Sequence, residues 1–241
     1  MNTNKNSYTI IYAAVMVVVV ALLLALVSGI LKEKQTANVE LDKKKQILSS
    51  LNISTAGQDA EALYNQYIPK AIIINYRGEV ISDDRDKAFN VDIAKEMSKP
   101  LEKRELPVYL ATVEGQTKYI LSLRGAGLWG PIWGYISFNE DKNTVFGSYF
   151  MHASETPGLG AEIATKHFQN EFINKKIKNA ENKFVSIAVV KPGQQAEGKD
   201  YVDGISGGTI TSHGVDVMLM KSIGQYENFL GQVTDGGMQN E

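Results

Sequence analysis

Cysteine is absent from this 241-residue sequence, and histidine and tryptophan are scarce, with three and two residues respectively. The lack of cysteine excludes disulfide bonds and thiolate-bound metal clusters. Because the three histidines lie far apart, we predict no metal site, and we expect His152 to bond to carbonyls of its own loop. A net charge of −2 provides no basic face for phosphates, so no nucleic-acid partner is expected.

Charged residues are missing from the segment 10–31, which reads IIYAAVMVVVVALLLALVSGIL. As a helix this run would be about 33 Å long, enough to cross the hydrocarbon core of a bilayer. A cleaved signal peptide is the alternative, but the run is longer than a signal-peptide core and its exit is a poor cleavage site. We therefore predict a single-pass anchor. It holds no intramembrane carboxylate, the usual mark of an ion path.

The lysines that flank the anchor bear on its orientation. Lys5 precedes it, whereas Lys32, Lys34 and residues 43–45 follow it. Counted literally, these charges would keep the following domain in the cytoplasm. Large domains can nevertheless cross the membrane despite flanking charge, so the count alone leaves the orientation open.

The remaining patterns predict a mixed α+β domain after the anchor. We divide the chain into a tail (1–9), the anchor (10–31), a helical linker region (32–70) and a soluble domain (71–241). Helical patterns are found from residue 38, over 59–67, over 161–177 and from about Ser212. Strand patterns are found over 71–76, 79–81, 107–113, 117–123, 132–138, 143–151 and 183–190, with 83–87 as a charged loop. No Gly-x-Gly-x-x-Gly run stands between a predicted strand and a predicted helix, so we predict no NADH site.

The stretch 203–212, DGISGGTITS, is a glycine-rich turn with four hydroxyl side chains ahead of the last predicted helix. Glycines admit positive φ angles and close approach to the main chain. Inward-pointing N–H groups and the start of a helix favour an anion. With Thr211 or Ser212 as the helix cap, the turn is suited to a phosphate, although the same pattern also begins helices that bind nothing.

The tetrad Ser206-Gly207-Gly208-Thr209 resembles the flavinylation motif of the FMN-binding domain family, although Gly208 stands where that family usually has alanine. The resemblance implies FMN esterified through its phosphate to Thr209, with Ile210 and Thr211 beside it. Thr211 is the competing hydroxyl and ranks below Thr209. In this family a separate flavin transferase, using FAD and a divalent metal ion, attaches the flavin.

Two further loops carry the resemblance. His152-Ala-Ser-Glu-Thr-Pro-Gly-Leu-Gly160 is similar to the second signature of the same family, and the run Gly-Leu-Trp-Gly-Pro-Ile within 124–134 is similar to a loop of the C subunits of sodium-translocating NADH:quinone oxidoreductases. Together they place the cofactor between glycine-rich loops, with Leu159 against the ring. The residues implied to lie along the flavin are Glu155, Thr156, Gly158, Leu159, Gly160, Leu128, Trp129 and Gly130.

The resemblance implies an electron-transfer subunit that relays electrons from NADH-derived centres toward quinone within a sodium-pumping membrane complex. Its partners would be the other subunits, the membrane and the flavin transferase. It also implies a bacterial inner-membrane location with the domain on the periplasmic side, against the literal lysine count. Two alternatives remain. One is the G subunit of the ferredoxin:NAD electron-transport complex, which generally lacks the Leu-Trp pair, and the other is a cofactor-free membrane-anchored binding module.

Overall fold

The described residues begin with one long helix. A computed structural model describes residues 6–232, so the start of the predicted tail, with Lys5, and the end of the predicted domain at 233–241 lie outside the described residues. Helix α1 spans Asn6–Ser50 without a break, so the helices predicted over 10–31 and from residue 38 are continuous. It contains no proline and a single glycine, Gly29, so nothing interrupts its hydrogen bonds. Over an 18-residue stretch of this helix the mean hydropathy is 3.2, and its length and composition suffice to cross a membrane.

The chain divides into two compact units, Met1–Lys43 and Lys44–Glu241. The second unit is built on a six-stranded sheet of order β2-β1-β3-β4-β5-β6 in which all neighbours are antiparallel. The strands are β1 (Lys70–Ile74), β2 (Val80–Ser82), β3 (Leu106–Val113), β4 (Gln116–Ala126), β5 (Pro131–Phe138) and β6 (Val145–His152). The helices after α1 are α2 (Ala60–Tyr67), α3 (Arg85–Asn90), α4 (Ile93–Met97), α5 (Lys166–Asn170), α6 (Thr209–Gly224) and α7 (Glu227–Gly231), with 3-10 turns at Leu101–Lys103 and Gly160–Ala164.

The strand patterns over 71–81 and 107–123 form two antiparallel hairpins, β1–β2 and β3–β4. In the β3–β4 hairpin the two loop residues Glu114 and Gly115 have φ of 52° and 77°. Two consecutive positive φ angles match the right-handed twist of the strands that the turn joins. In the β1–β2 hairpin Gly78 adopts φ 79°. The side chain of Asn75 accepts hydrogen bonds from the N–H groups of Arg77 and Glu79, which closes that turn.

The sheet buries both of its faces. Alternation along β1 sends Ile72 and Ile74 into one core and Ala71 and Ile73 into the other. The first core lies against α6, which contacts β4 extensively. The second lies against α2, α3 and the last turns of α1, where Ile47 and Leu48 are fully buried. The C-terminal end of α1 therefore belongs to the folded domain.

Three predicted elements differ from the structure. The helix predicted over 161–177 is broken, because Thr165 is extended and caps the short α5, and Asn174 takes φ of 66°. The strand predicted over 183–190 shrinks to β7 (Ala188–Val190), because Ser186 takes φ of 60°. The loop predicted over 83–87 is wrong in part, because Asp84 caps α3 through the N–H groups of Asp86 and Lys87.

The glycine-rich turn follows a parallel strand pair. Strand β7 pairs in parallel with β8 (Tyr201–Asp203), and the turn leads from β8 into α6. Helix α6 begins at Thr209, three residues earlier than predicted, with Gly208 rather than Thr211 or Ser212 at the cap position. The hydroxyl of Ser212 is used elsewhere, since it accepts the N–H of Ile205 at 2.8 Å.

Candidate functional site

The two candidate threonines of the turn have opposite environments. Thr209 is exposed at the first residue of α6. Thr211 is only 1% exposed, and its hydroxyl donates a 2.6 Å hydrogen bond to Oε2 of Glu155. Of these two hydroxyls, therefore, that of Thr209 is the one accessible to an attached group.

The start of α6 has no side-chain cap. The N–H of Ser212 makes the first hydrogen bond of the helix, 2.9 Å to the carbonyl of Gly208. The N–H groups of residues 209–211 precede that bond, and the positive end of the helix dipole lies beside them. Gly207, at φ 75°, turns the chain just before this point. An anion on the Thr209 side chain would therefore meet backbone donors.

The turn itself is held in place by hydrogen bonds within the domain. Gly204 N–H donates to the carbonyl of Val190 at 2.7 Å, and Gly208 N–H donates to that of Ile205 at 2.9 Å. With the bond from Ile205 N–H to Ser212, these contacts anchor the turn to both β7 and α6. The exposed Thr209 therefore extends from a well-supported backbone.

Glu155 joins three segments that are distant in sequence. Its side chain is 5% exposed, and its Oε1 accepts the N–H of Trp129 at 2.8 Å while Oε2 accepts the hydroxyl of Thr211. The neighbouring Ser154 hydroxyl donates to the carbonyl of Trp129 at 2.9 Å. The Gly-Leu-Trp-Gly-Pro-Ile run at residues 127–132, which we call the aromatic loop, the Thr-Pro-Gly-Leu-Gly loop and the start of α6 thus meet at one buried carboxylate.

Four apolar side chains on these three segments remain exposed, by 42% to 65%. We call this set the apolar rim, and its members are Leu128, Trp129, Leu159 and Ile210. Large exposed apolar side chains grouped on converging loops are typical of ligand sites. A cofactor with a phosphate at one end and a flat apolar ring at the other fits the uncapped helix start together with the apolar rim.

Two cavities border the turn and share Gly204 and Ile205 in their walls. The first, of about 380 Å³, lies beside Thr209 and is also lined by Lys191 and His213. The second, of about 450 Å³, is lined by residues that include Ser206. Open space for a bulky substituent therefore borders the turn.

Comparison with known proteins identifies this arrangement. Residues 127–224, which include all three segments, match the family model of the FMN-binding domain. Over 229 residues the chain is 32% identical to the C subunit of the Na(+)-translocating NADH-quinone reductase of Haemophilus ducreyi, covering 89% of this chain and 88% of the relative. The chain belongs to the family of C subunits of Na(+)-translocating NADH-quinone reductases.

Solved structures agree with this assignment. A crystal structure of the C subunit of the Na(+)-translocating NADH-quinone reductase from Parabacteroides distasonis is 49% identical, with a TM-score of 0.77, and the match covers 84% of this chain and 98% of that one. A structure of NqrC from Shewanella oneidensis, at 22% identity and a TM-score of 0.69, shares the fold, and the match covers 82% of this chain and 98% of that one. The predicted α+β fold, the resemblance to the C subunits and FMN as the cofactor of this domain are thereby confirmed.

Most predicted site residues of this FMN-binding domain lie on the segments that Glu155 joins. Exposed or half-buried positions hold Ser206, Gly207, Thr209, Ile210, Leu128, Trp129, Gly130, Thr156, Gly158 and Leu159. Four predicted residues, Glu155, Gly160, Gly208 and Thr211, are buried instead. Contact of any of them with FMN stays a prediction.

Sequence reasoning missed some residues and misassigned others. It gave no role to Gly127, which leaves room for the Glu155 carboxylate, or to Ser154, which bonds to the carbonyl of Trp129, and it expected Ser212 to cap a helix rather than accept the N–H of Ile205. The expectation that His152 bonds to loop carbonyls is wrong, because its Nδ1 accepts the N–H of Glu155 at 3.1 Å. Within residues 6–232, no group of three or more His, Asp or Glu side chains is placed to hold a metal ion.

Proposed function

We propose that this chain carries FMN covalently, through an ester between the flavin phosphate and Thr209, and relays electrons within its complex. The observation that supports this most directly is the contrast between the exposed Thr209 and the buried, hydrogen-bonded Thr211. The uncapped start of α6 adds backbone donors for the phosphate. Attachment from FAD by a flavin transferase would form the Thr209 O–P bond, break the pyrophosphate P–O bond, release AMP and leave the hydroxyl proton to solvent.

The chain's own residues would hold and orient the cofactor. The N–H groups at the start of α6 would neutralise the phosphodiester charge. The apolar rim would cover part of the ring, with the Trp129 indole offering a flat surface. Bound FMN supplies the redox chemistry, taking up and passing on single electrons. A covalent tether would prevent loss of the cofactor while the ring stays accessible to redox partners.

In this role the chain would bind the other subunits of an NADH-quinone reductase, the complex that the name of its relative gives. This chain shows no dinucleotide fingerprint between a strand and a helix, so we assign the hydride step to another subunit. We further propose that α1 anchors the chain by a single pass with the FMN domain on the periplasmic side of a bacterial inner membrane.

Intact-mass measurement tests the cofactor and its site. The full chain is co-expressed with a flavin transferase and solubilised in detergent. The mass of the intact chain and the mass of the peptide that contains residue 209 are then measured. We expect the mass of one FMN phosphoester and a fluorescent band on a denaturing gel. Thr209→Val should lose both, whereas Thr211→Val should keep both. An unmodified, colourless parent protein would leave only the cofactor-free anchored module.

Labelling tests the orientation. Because the chain has no cysteine, a single Gln58→Cys substitution at an exposed position provides a unique thiol. In spheroplasts we expect a membrane-impermeant maleimide to react with it as fully as a permeant one. Reaction with the permeant reagent alone would place the domain in the cytoplasm, as the lysine count favours.

A further inference from the structure

We infer that Glu155 is a positioning residue for the flavin that acts through Trp129 and Thr211 and is not itself a flavin ligand. The inference rests on the proposed function, because it assigns Glu155 a role at the same site. Family resemblance alone would place this side chain along the flavin. The structure instead buries it and directs both of its oxygens to protein groups.

The two hydrogen bonds connect segments that are far apart in the chain. Trp129 lies 26 positions before Glu155, and Thr211 lies 56 positions after it. One bond holds the backbone of an apolar-rim residue, and the other holds the first turn of α6, where the phosphate would bind. A single carboxylate therefore sets the position of the ring side of the site relative to the phosphate side.

Two glycines leave room for this carboxylate. A Cβ atom at Gly127 would meet Oε1 of Glu155, and a Cβ atom at Gly160 would meet Oε2 together with the hydroxyl of Thr211. Gly160 does not adopt a positive φ, so its backbone conformation does not require glycine. The position lacks a side chain because the Glu155 carboxylate and the Thr211 hydroxyl occupy the space where a Cβ would lie.

Burial makes each of the two contacts costly to lose. A buried carboxylate oxygen that loses its donor incurs a desolvation penalty, so neither the aromatic loop nor the start of α6 can shift freely. The carboxylate also places a negative charge at the meeting point of the three segments. A negative charge near a flavin disfavours electron uptake, so Glu155 would hold the FMN potential at a more negative value.

Three variants separate these effects in the full, flavinylated chain. Glu155→Gln removes the charge but keeps an oxygen for Trp129 N–H and a donor for the Thr211 hydroxyl. Glu155→Ala removes both contacts, and Thr211→Val removes only one of them. Glu162→Gln is the matched control, because the Glu162 side chain accepts the N–H of Gly158, at 3.0 Å, within its own loop.

The readouts are the midpoint potential of FMN and hydrogen exchange at the Trp129 amide. We expect Glu155→Gln to keep slow exchange and to shift the potential to a more positive value, by more than Glu162→Gln does. Glu155→Ala should accelerate exchange at Trp129 by about 10-fold or more, since a hydrogen bond to a charged group is lost. Thr211→Val should leave that amide close to the parent.

Unchanged exchange in Glu155→Ala, or equal potential shifts in Glu155→Gln and Glu162→Gln, would overturn the inference. If Glu155→Ala does not fold, the midpoint potential of FMN in Glu155→Gln, compared with that in Glu162→Gln, still tests the inference. Failure of the proposed function is a separate outcome, because a parent chain without covalent flavin still reports the Glu155 contacts through exchange at Trp129.

Discussion

Replacing each of the two turn threonines by valine should separate attachment from stability. Thr211→Val is expected to keep covalent flavin and lose stability, whereas Thr209→Val is expected to lose the flavin and keep stability. The reason is structural, because the Thr211 hydroxyl serves a buried carboxylate and the Thr209 side chain is exposed. The two changes are chemically identical and lie in the same turn of α6, so each controls for the other.

The magnitude follows from the contact that is lost. Valine has nearly the shape of threonine, so Thr211→Val opens no cavity and changes helix propensity little. It removes the donor of a 2.6 Å hydrogen bond to Glu155, which is 5% exposed. A hydrogen bond to a charged group contributes about 1.5 to 3 kcal/mol, which corresponds to a fall of about 3 to 12 °C in Tm for a domain of this size. Thr209→Val should change the free energy of unfolding by about 0.5 kcal/mol or less.

The assay is thermal unfolding of the flavin-free proteins in detergent, followed by near-ultraviolet circular dichroism. Expression without the transferase keeps the cofactor from contributing to stability. Parallel preparations with the transferase are weighed to score attachment. Equal Tm values for the two variants, or greater destabilisation by Thr209→Val, would refute the assignment of Thr211 to a buried structural bond.

Three further substitutions test the site. Gly160→Ala should lower Tm more than Gly158→Ala. A Cβ at position 160 would overlap a buried carboxylate and hydroxyl, whereas Gly158, at φ 75°, faces open space. Thermal unfolding of the two variants checks this, and equal falls in Tm would contradict it. Trp129→Ala should alter the emission or the potential of FMN without blocking attachment. Trp133→Phe is the control and should leave both unchanged, because the Trp133 indole bonds to Gln46. Unchanged emission and potential in Trp129→Ala would contradict this prediction. Gly208→Ala should retain covalent FMN on mass measurement, because the added Cβ would lie 3.1 Å from its nearest contact and needs only a small shift; loss of flavin would show that the alanine common in the family does not fit here.

Local features of the chain could be predicted because their causes are local. The hairpin turn at Glu114 and Gly115 is recognisable from turn residues between β-rich runs, and α2 from the helical pattern over 59–67. The helix predicted over 161–177 failed for a tertiary reason. Thr165 and Asn174 leave helical geometry so that α5 and the following turn can pack Phe168 and Phe172 into the core.

Amino-acid order alone was enough to predict the long apolar helix, most of the strands and the three loop motifs of an FMN-binding domain, because each depends on composition or on neighbouring residues. Folding had to be known before one could say which hydroxyl is accessible and what the glutamate ahead of the Thr-Pro-Gly-Leu-Gly run contacts. Thr209 and Thr211 are alike as residues of a glycine-rich turn. They become different when a carboxylate 56 positions away is buried against one of them, and burial is a property of the folded chain.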